Sequence, residues 1–306
     1  MIPEYALITP ARNEEENIEK TLQSVVEQTH LPARWVIVND FSTDRTAEIV
    51  ERFIRNHPFI TLVNSQKHNA LGFGSKAKAF NAGYAELGKV QYSFIGNLDG
   101  DVSFNHTYFE KLLQHFAEDP ELGLGGGLIL ERIEERFIPQ RISANSVAGA
   151  VQMFRRECFE RVGGYLPLKR GGIDSVAEIM ARMHGWKVRT FRELQVEHHG
   201  RVTTGERSLL RTRFNKGMNN YLIGYDPAFH FVASVFRCAS RPYLLGGLMM
   251  LTGYCWAAMR RSQRPVSQEF VRFLRQEQRD RMRSVMGRVS LSGETDISMT
   301  GIRRIE

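Results

Sequence analysis

Residues 92–104 read YSFIGNLDGDVSF: an apolar run from Tyr92 to Leu98 that stops abruptly at Asp99, Gly100 and Asp101. The run has the length and residue types of a buried strand. In a sheet of parallel strands, ligands bind just beyond the carboxyl ends, which is where this acidic triplet falls. Two carboxylates one residue apart, with a glycine between them leaving room, suit a divalent cation that is also held by a diphosphate. Acidic turns are common on protein surfaces, and what singles this one out is its place directly after an apolar strand.

Working outward toward the N-terminus, the same alternation recurs. Tyr5 to Thr9 reads as a strand, and Glu14 to Gln28 as a helix with Ile18, Leu22, Val25 and Val26 on one face. Trp35 to Asn39 is a second strand. Ser42 and Asp44 supply N-cap chemistry for a helix reaching roughly Arg55, and Pro58 closes it before a strand at Ile60 to Val63. Lys76 to Leu87 is a further helix. Strands alternating with helices predict a doubly wound, nucleotide-binding α/β domain with a mostly parallel sheet. Its strand ends carry polar groups throughout: Thr9-Pro10-Ala11-Arg12-Asn13-Glu14 after the first, Asn39-Asp40-Phe41-Ser42-Thr43-Asp44 after the second.

Toward the C-terminus, Gly125-Gly126-Gly127 leads into an apolar strand at Leu128 to Leu130, and Gly149 to Phe154 reads as a strand feeding a helix around Cys158. Asp174 to His184 is helical, and Trp186 to Phe191 returns as a strand. Beyond Gly200 the pattern is helical and apolar in blocks. Pro242 to Met259 is 18 residues without a charge, the lower limit for a membrane span. Its glycines, its threonine and the flanking Arg237, Arg241, Arg260 and Arg261 favour an interfacial or buried helix instead. Ser267 to Arg283 follows as a basic amphipathic helix.

At 306 residues, with 42% hydrophobic and 25% charged, the chain is globular, which excludes disorder throughout. Three cysteines with no C-x-x-C spacing make no disulfide framework, and the N-terminus has no basic segment followed by an apolar run. A cytoplasmic protein is expected. The net charge of +7 is unevenly spread: residues 1–200 carry 23 Lys and Arg against 26 Asp and Glu, while residues 201–306 carry 18 against 8. Of those 18 cations, 17 are arginine, the residue suited to phosphate and anionic headgroups. Acidic strand ends and the lack of a basic-aromatic stripe argue against nucleic acid.

Across residues 4–200 the chain resembles the family 2 glycosyltransferases, inverting enzymes of the GT-A fold that use nucleotide sugars. TPARNEE resembles their first nucleotide-binding strand end, and VNDFSTDRT their V-D-D-x-S-x-D-x-T, with Asn39 in place of the first Asp. HNALGFGSKAKAFNAGY resembles N-x-G-x-K-x-x-A-x-N-x-G, and LDGDVSF the D-x-D stretch. The resemblance implies that Pro10, Ala11, Arg12 and Glu14 wrap base and ribose, that Asp40 accepts from the base, and that Lys76 faces the donor's anionic part. Asp101 would ligate Mg²⁺ or Mn²⁺, with Asp99 beside it on metal, ribose or donor sugar and Gly100 between. GGIDSVAEIMARMHGW resembles the family's acceptor-side helix and puts Asp174 at the general-base position, although Ile173 stands where Glu is usual. Glu178, one turn on, is the substitute acid; as a plain reading it is a helix-surface residue. Gly164 in the Gly163-Gly164 turn either lets backbone approach the acceptor or merely ends a helix. His199 and Arg201 are candidate diphosphate contacts.

The expected function is transfer of a sugar from a nucleoside-diphosphate sugar, UDP favoured, to a saccharide acceptor in cell-surface polysaccharide or O-antigen synthesis. Two alternatives stay open: a catalytically silent nucleotide-sugar-binding protein, and a sugar-phosphate nucleotidyltransferase. The expected organisation is a catalytic domain at 1–205, split into a nucleotide half (1–102) and an acceptor half (103–205), then a helical arginine-rich region (206–284) and a flexible tail (285–306). The basic region fits an anionic membrane surface on the cytoplasmic face and a polyprenyl-diphosphate-linked acceptor; the plainer reading is a helical cap or a homo-oligomer contact.

Overall fold

Tyr5–Ala11 forms β1 and Arg34–Asn39 forms β2, both buried almost end to end. Strands so buried on two faces need helices on both sides of a parallel sheet. A computed structural model describes residues 3–65, 73–133, 136–168, 171–200, 206–239 and 242–291. The chain divides into two compact units, Met1–Val202 and Thr203–Glu306.

In the first unit α1 (Ile18–Val26) follows β1, α2 (Thr46–Ile54) follows β2, and α3 (Phe73–Ala85) follows β3 (Ile60–Asn64). Helix α1 buries Ile18, Leu22 and Val25, the face its spacing predicts, each contributing roughly 1.5–3 kcal/mol of transfer free energy before entropy is counted. Helix α2 starts later than Ser42 and Asp44 imply. Asp44 Oδ1 accepts from the Thr46 amide at 3.0 Å, while Ser42 Oγ accepts from the Asn13 amide at 3.1 Å and so ties loop to loop instead of capping.

The central strand β4 (Phe94–Leu98) lies parallel to β1, completing a parallel run β3-β2-β1-β4. Beyond it the sheet mixes directions. After β5 (Val102–Phe104) and α4 (Tyr108–Glu118) come β6 (Leu122–Ile133), β7 (Arg136–Pro139) and β8 (Val151–Arg155), then α5 (Arg156–Val162), α6 (Ile173–Met183) and β9 (Lys187–His198). The order is β3-β2-β1-β4-β8-β6-β9-β5, with β7 on β6; β8 runs antiparallel to β4 and β6, and β6 parallel to β9. The sequence reading names no element between Asp101 and Gly125, where the structure has β5 and α4. Helix α4 is nonetheless amphipathic, burying Tyr108, Phe109, Leu112, Leu113 and Phe116. Gly126 and Gly127 sit inside β6 where a Cβ would strike the backbone carbonyls of Val151 and Leu194, so the glycine run lets the neighbouring chain close in.

The second unit is helical: α7 (Glu206–Leu222), α8 (Pro227–Arg237), α9 (Leu245–Met259) and α10 (Gln268–Leu291). Pro227 opens α8, and Asp226 caps it by accepting from the amides of Ala228 (2.9 Å) and Phe229 (3.4 Å). Asp226 also takes Arg279 at 3.0 Å, and its amide donates to Gln278 Oε1 at 2.8 Å, tying α10 to the start of α8. Helices α7 and α9 meet at glycines, because a Cβ on Gly217 would strike Met250 O and one on Gly253 would strike Phe214 O. Among the described residues no helix is long and apolar enough to cross a membrane.

Candidate active site

The carboxyl ends of β1, β2 and β4 open into one cleft of about 360 Å³. Its lining is Pro10, Ala11, Arg12 and Glu14 after β1, Asp40 after β2, Ser75 and Lys76 at the start of α3, and Asp99, Gly100 and Asp101 after β4. The size fits a nucleotide-scale ligand. Every residue singled out for base, ribose, donor or metal is therefore in one place; Ser75, not singled out, joins them. The HNALG stretch before it lies outside the described residues.

The first two loops are knitted by side-chain bonds. Asn13, held at φ 55°, accepts from the Thr43 amide at 2.8 Å; the amide of Glu14 donates to Thr46 Oγ1 at 2.8 Å and that of Glu15 to Asp44 Oδ2 at 3.0 Å. Asparagine tolerates the left-handed region better than other side-chain-bearing residues. At the position where the resemblance leads one to expect Asp, Asn39 accepts from the Ser42 amide and donates to Asn64 Oδ1, so the amide closes the turn with both its ends. Asp40 is 6% exposed, takes hydroxyl donors from Ser65 (3.0 Å) and Ser75, and has Arg12 Nη1 at 4.0 Å.

Across the cleft Lys76 Nζ pairs with Asp99 Oδ1 at 2.5 Å. Burial pulls the lysine pKa down, but Asp99, Asp174 and Asp101 more than offset this, so the ammonium stays charged. Asp101 Oδ2 meets His198 Nε2 at 3.2 Å, and that bond, followed by the charges of Asp101 and Asp99, raises the histidine's pKa. Glu14 is pushed up to about 7, by burial first and then by Asp101 and Asp99. A side chain at Gly100 would be tight, its Cβ lying 3.0 Å from Ile18 Cδ1 and 3.4 Å from Glu14 Cγ.

Glu14, Asp99 and Asp101 bring three carboxylates into one cleft. Hard oxygen donors with a histidine beside them fit Mg²⁺ or Mn²⁺. Among the described residues no three acidic, histidine or cysteine side chains converge as a ready-made cage.

The remaining expected residues fall elsewhere. Asp174, half-exposed in the first turn of α6, does not line the cleft but packs on Gly149, whose Cβ would sit 3.0 Å from Asp174 Oδ2. The same segment touches the donor side: the Asp99 amide donates to Ala150 O at 2.9 Å, and Asn97 Nδ2 donates to Gly149 O. One short stretch, 149–150, therefore touches both Asp174 and the backbone of Asp99, and Asp174 is near enough to help raise the Lys76 pKa. Ile173, in place of the usual glutamate, is 7% exposed and belongs to the core.

Glu178 is not a helix-surface acid. It is 5% exposed, accepting from Ser146 Oγ (2.7 Å), the Val147 amide (2.8 Å) and Gln152 Nε2 (3.3 Å), and burial raises its pKa to about 7. The helical period that puts it one turn from Asp174 also turns it inward, against the 146–147 loop. Gly163 is the left-handed C-cap of α5 and Gly164 follows at φ 81°, so the pair ends the helix; neither lines the cleft. The histidine whose ring meets Asp101 is His198; His199, the expected diphosphate contact, follows directly after β9 and donates its backbone amide to Asp101 O at 2.8 Å. His199 Nε2 instead meets Ser103 Oγ at 2.7 Å, with its ring edge-on to Phe137. Arg201 lies outside the described residues.

Three comparisons bear on this geometry. Residues 6–176 match the family described as Glycosyl transferase family 2. The chain is 28% identical over 183 residues to the uncharacterized glycosyltransferase EpsJ of Bacillus subtilis, covering 53% of this chain and 50% of that protein. It is 26% identical over 201 residues to the poly-beta-1,6-N-acetyl-D-glucosamine synthase of Staphylococcus epidermidis, covering 58% of this chain and 44% of that one. The chain thus spans about half the length of the curated relatives it matches. Among solved structures, the mannosyltransferase PcManGT from Pyrobaculum calidifontis, in complex with GDP-Man and Mn²⁺, superposes with a TM-score of 0.56 at 17% identity, covering 99% of this chain and 84% of that one.

Proposed function

The chain belongs to glycosyl transferase family 2 and has the GT-A fold, and from that premise we propose that it is an inverting glycosyltransferase moving a sugar from a nucleoside diphosphate, UDP favoured, onto a saccharide acceptor. The observation that carries the reading is the single cleft lined by Pro10, Arg12, Glu14, Asp40, Lys76, Asp99 and Asp101 at the carboxyl ends of three neighbouring strands.

Each residue's part follows from its surroundings. Asp40, buried and already holding two serine hydroxyls, accepts from the base, where an unmatched donor pattern would leave it unpaired. The main chain of Pro10 to Glu14 wraps base and ribose, with Arg12 reaching phosphate. Lys76 exchanges part of its pairing with Asp99 for the incoming diphosphate. Mg²⁺ or Mn²⁺, when bound, stabilises the leaving diphosphate as a Lewis acid; Asp101 and Asp99 would hold it, with Glu14 and His198 beside them. Asp174 takes the proton from the acceptor hydroxyl as its oxygen attacks the anomeric carbon; the bond to the diphosphate breaks on the opposite face and the configuration inverts. Asp174's contact with Gly149, beside the Ala150 carbonyl that takes the Asp99 amide, and its charge acting on Lys76 support its place next to the donor cleft.

The likeness to a polysaccharide synthase supports a cell-surface polysaccharide as product. The arginine-rich region 206–284 supports a polyprenyl-diphosphate-linked acceptor at the cytoplasmic membrane face. Incubation with UDP-, GDP- and dTDP-sugars and Mn²⁺ tests the reading. Nucleoside diphosphate released from one donor is the expected result; none from any donor leaves a silent binding protein, and pyrophosphate made from sugar phosphate and nucleotide leaves a nucleotidyltransferase.

A further inference from the structure

Helix α9 is apolar on both sides, and only one side is used. Its inner face carries Gly246, Gly247, Met250, Gly253, Tyr254 and Ala257, packed within the helical unit. Its outer face carries Leu245, Leu248, Trp256 and Met259, at helical spacing and 41–72% exposed. A helix apolar all round belongs in a protein core or against lipid, and among the described residues the outer half of this one is exposed.

The stripe continues onto α8. His230 Nε2 reaches Met250 O at 3.3 Å, and a Cβ on Gly247 would meet Ser234 O and Cys238 Sγ, so α8 and α9 run antiparallel as a hairpin. Phe231 and Val235 each follow an α9-facing residue of α8, as Leu248 follows the α8-facing Gly247. In antiparallel helices one step onward from the contact line turns both side chains to the same side. Phe231 and Val235 are 56% and 49% exposed and widen the apolar strip.

We propose that this α8–α9 face is where the protein docks on an anionic phospholipid bilayer, α9 lying in the plane of the interface. The proposal rests on the preceding reading only in taking the acceptor to be lipid-borne. At 15 residues α9 is about 22 Å long, short of the roughly 30 Å hydrocarbon layer, so it embeds without spanning. Its C-terminal end is built for the boundary: the Arg260 guanidinium lies 4.5 Å over the Trp256 ring, and Arg261 is exposed beside it. An indole at headgroup depth with a cation above it is the interfacial arrangement. A second copy of the chain is the poorer occupant. A two-fold contact through this face would press together two copies of a region with 18 cations against 8 anions.

The test uses the full chain and vesicles of phosphatidylcholine alone or mixed equally with phosphatidylglycerol. The protein is expected to float with the anionic vesicles, with tryptophan emission shifted blue and quenched by acyl-brominated lipid. The double variant Leu248→Glu/Met259→Glu is expected to lose at least tenfold in bound fraction while retaining native helicity and UDP binding; Trp256→Phe, which keeps the apolar face, retains flotation but loses most of the quenching. The proposal is overturned if the native protein stays in the soluble fraction, if the double variant floats undiminished, or if binding occurs without any change in tryptophan emission. A dimer that the double variant abolishes, with no flotation, also overturns it in favour of a second copy. Release of nucleoside diphosphate from UDP-, GDP- or dTDP-sugars without vesicles depends on the cleft alone, so failure with all three refutes the enzymatic reading and leaves this one standing.

Discussion

Replacing Asp40 by Asn keeps the size of the side chain and removes its charge at a position 6% exposed to solvent. The carboxylate takes two serine hydroxyls, from Ser65 and Ser75, and faces the Arg12 guanidinium at 4.0 Å. An amide satisfies one hydroxyl as acceptor and the other as donor, because serine hydroxyls rotate, so folding loses little, about 1 kcal/mol or less. The nucleotide loses more. A hydrogen bond to a charged group contributes about 1.5–3 kcal/mol, and each 1.4 kcal/mol is tenfold in affinity, which puts the weakening at roughly 10- to 150-fold. Titration calorimetry of UDP and GDP in Mn²⁺ measures it, with a thermal melt as the control for folding. A variant that melts normally and binds the native protein's nucleotide within twofold of the native affinity would refute the assignment of Asp40 to the base.

Other expectations follow from single contacts. Gly149→Ala puts a methyl group 3.0 Å from Asp174 Oδ2 and should lower kcat for transfer with nucleotide affinity unchanged; steady-state kinetics beside calorimetry would show the split. Glu178, raised from 4.5 to about 7, binds more protons folded than unfolded, so its contribution is complete below pH 4.5 and is lost as pH rises to about 7. The stability of the native protein relative to Glu178→Gln, from urea unfolding, should therefore fall by about 3 kcal/mol over that interval; a constant difference contradicts the burial argument. His230 runs the other way. Burial lowers its pKa, its neutral ring accepting from Asn220 Nδ2 and donating to Met250 O, so its contribution is complete above pH 6.5 and falls as pH drops below that value. The gap to His230→Gln should narrow between pH 6.5 and 5.

The nucleotide half of the fold was legible because a parallel strand buried on both faces is an apolar run and its functional end is a polar stop. Tyr92 to Asp101 states both within ten residues. The acceptor half was less so: β6, β8 and β9 pair across long separations in mixed directions, and no local pattern announces which neighbour a strand takes. Helix α4 did carry a readable signal, its apolar spacing from Tyr108 to Phe116. What the sequence could not show at the site is side-chain direction. His198 and His199 are equivalent as letters, and it is the fold that gives Asp101 the ring of the first and the backbone amide of the second. Glu178 looked solvated because glutamates usually are; the donors that admit it to the interior, Ser146, Val147 and Gln152, lie 26 to 32 residues away in sequence.

The central claim is that donor binding and proton removal are divided between the cleft and Asp174. Sugar transfer by Asp174→Asn, measured together with its nucleotide affinity, addresses it most directly. An amide cannot take the acceptor's proton, so kcat should fall by about 10²- to 10⁴-fold, with the nucleotide dissociation constant within about threefold of native, since Asp174 does not line the cleft. Turnover retained at near-native rate, or nucleotide binding lost along with it, would contradict the account.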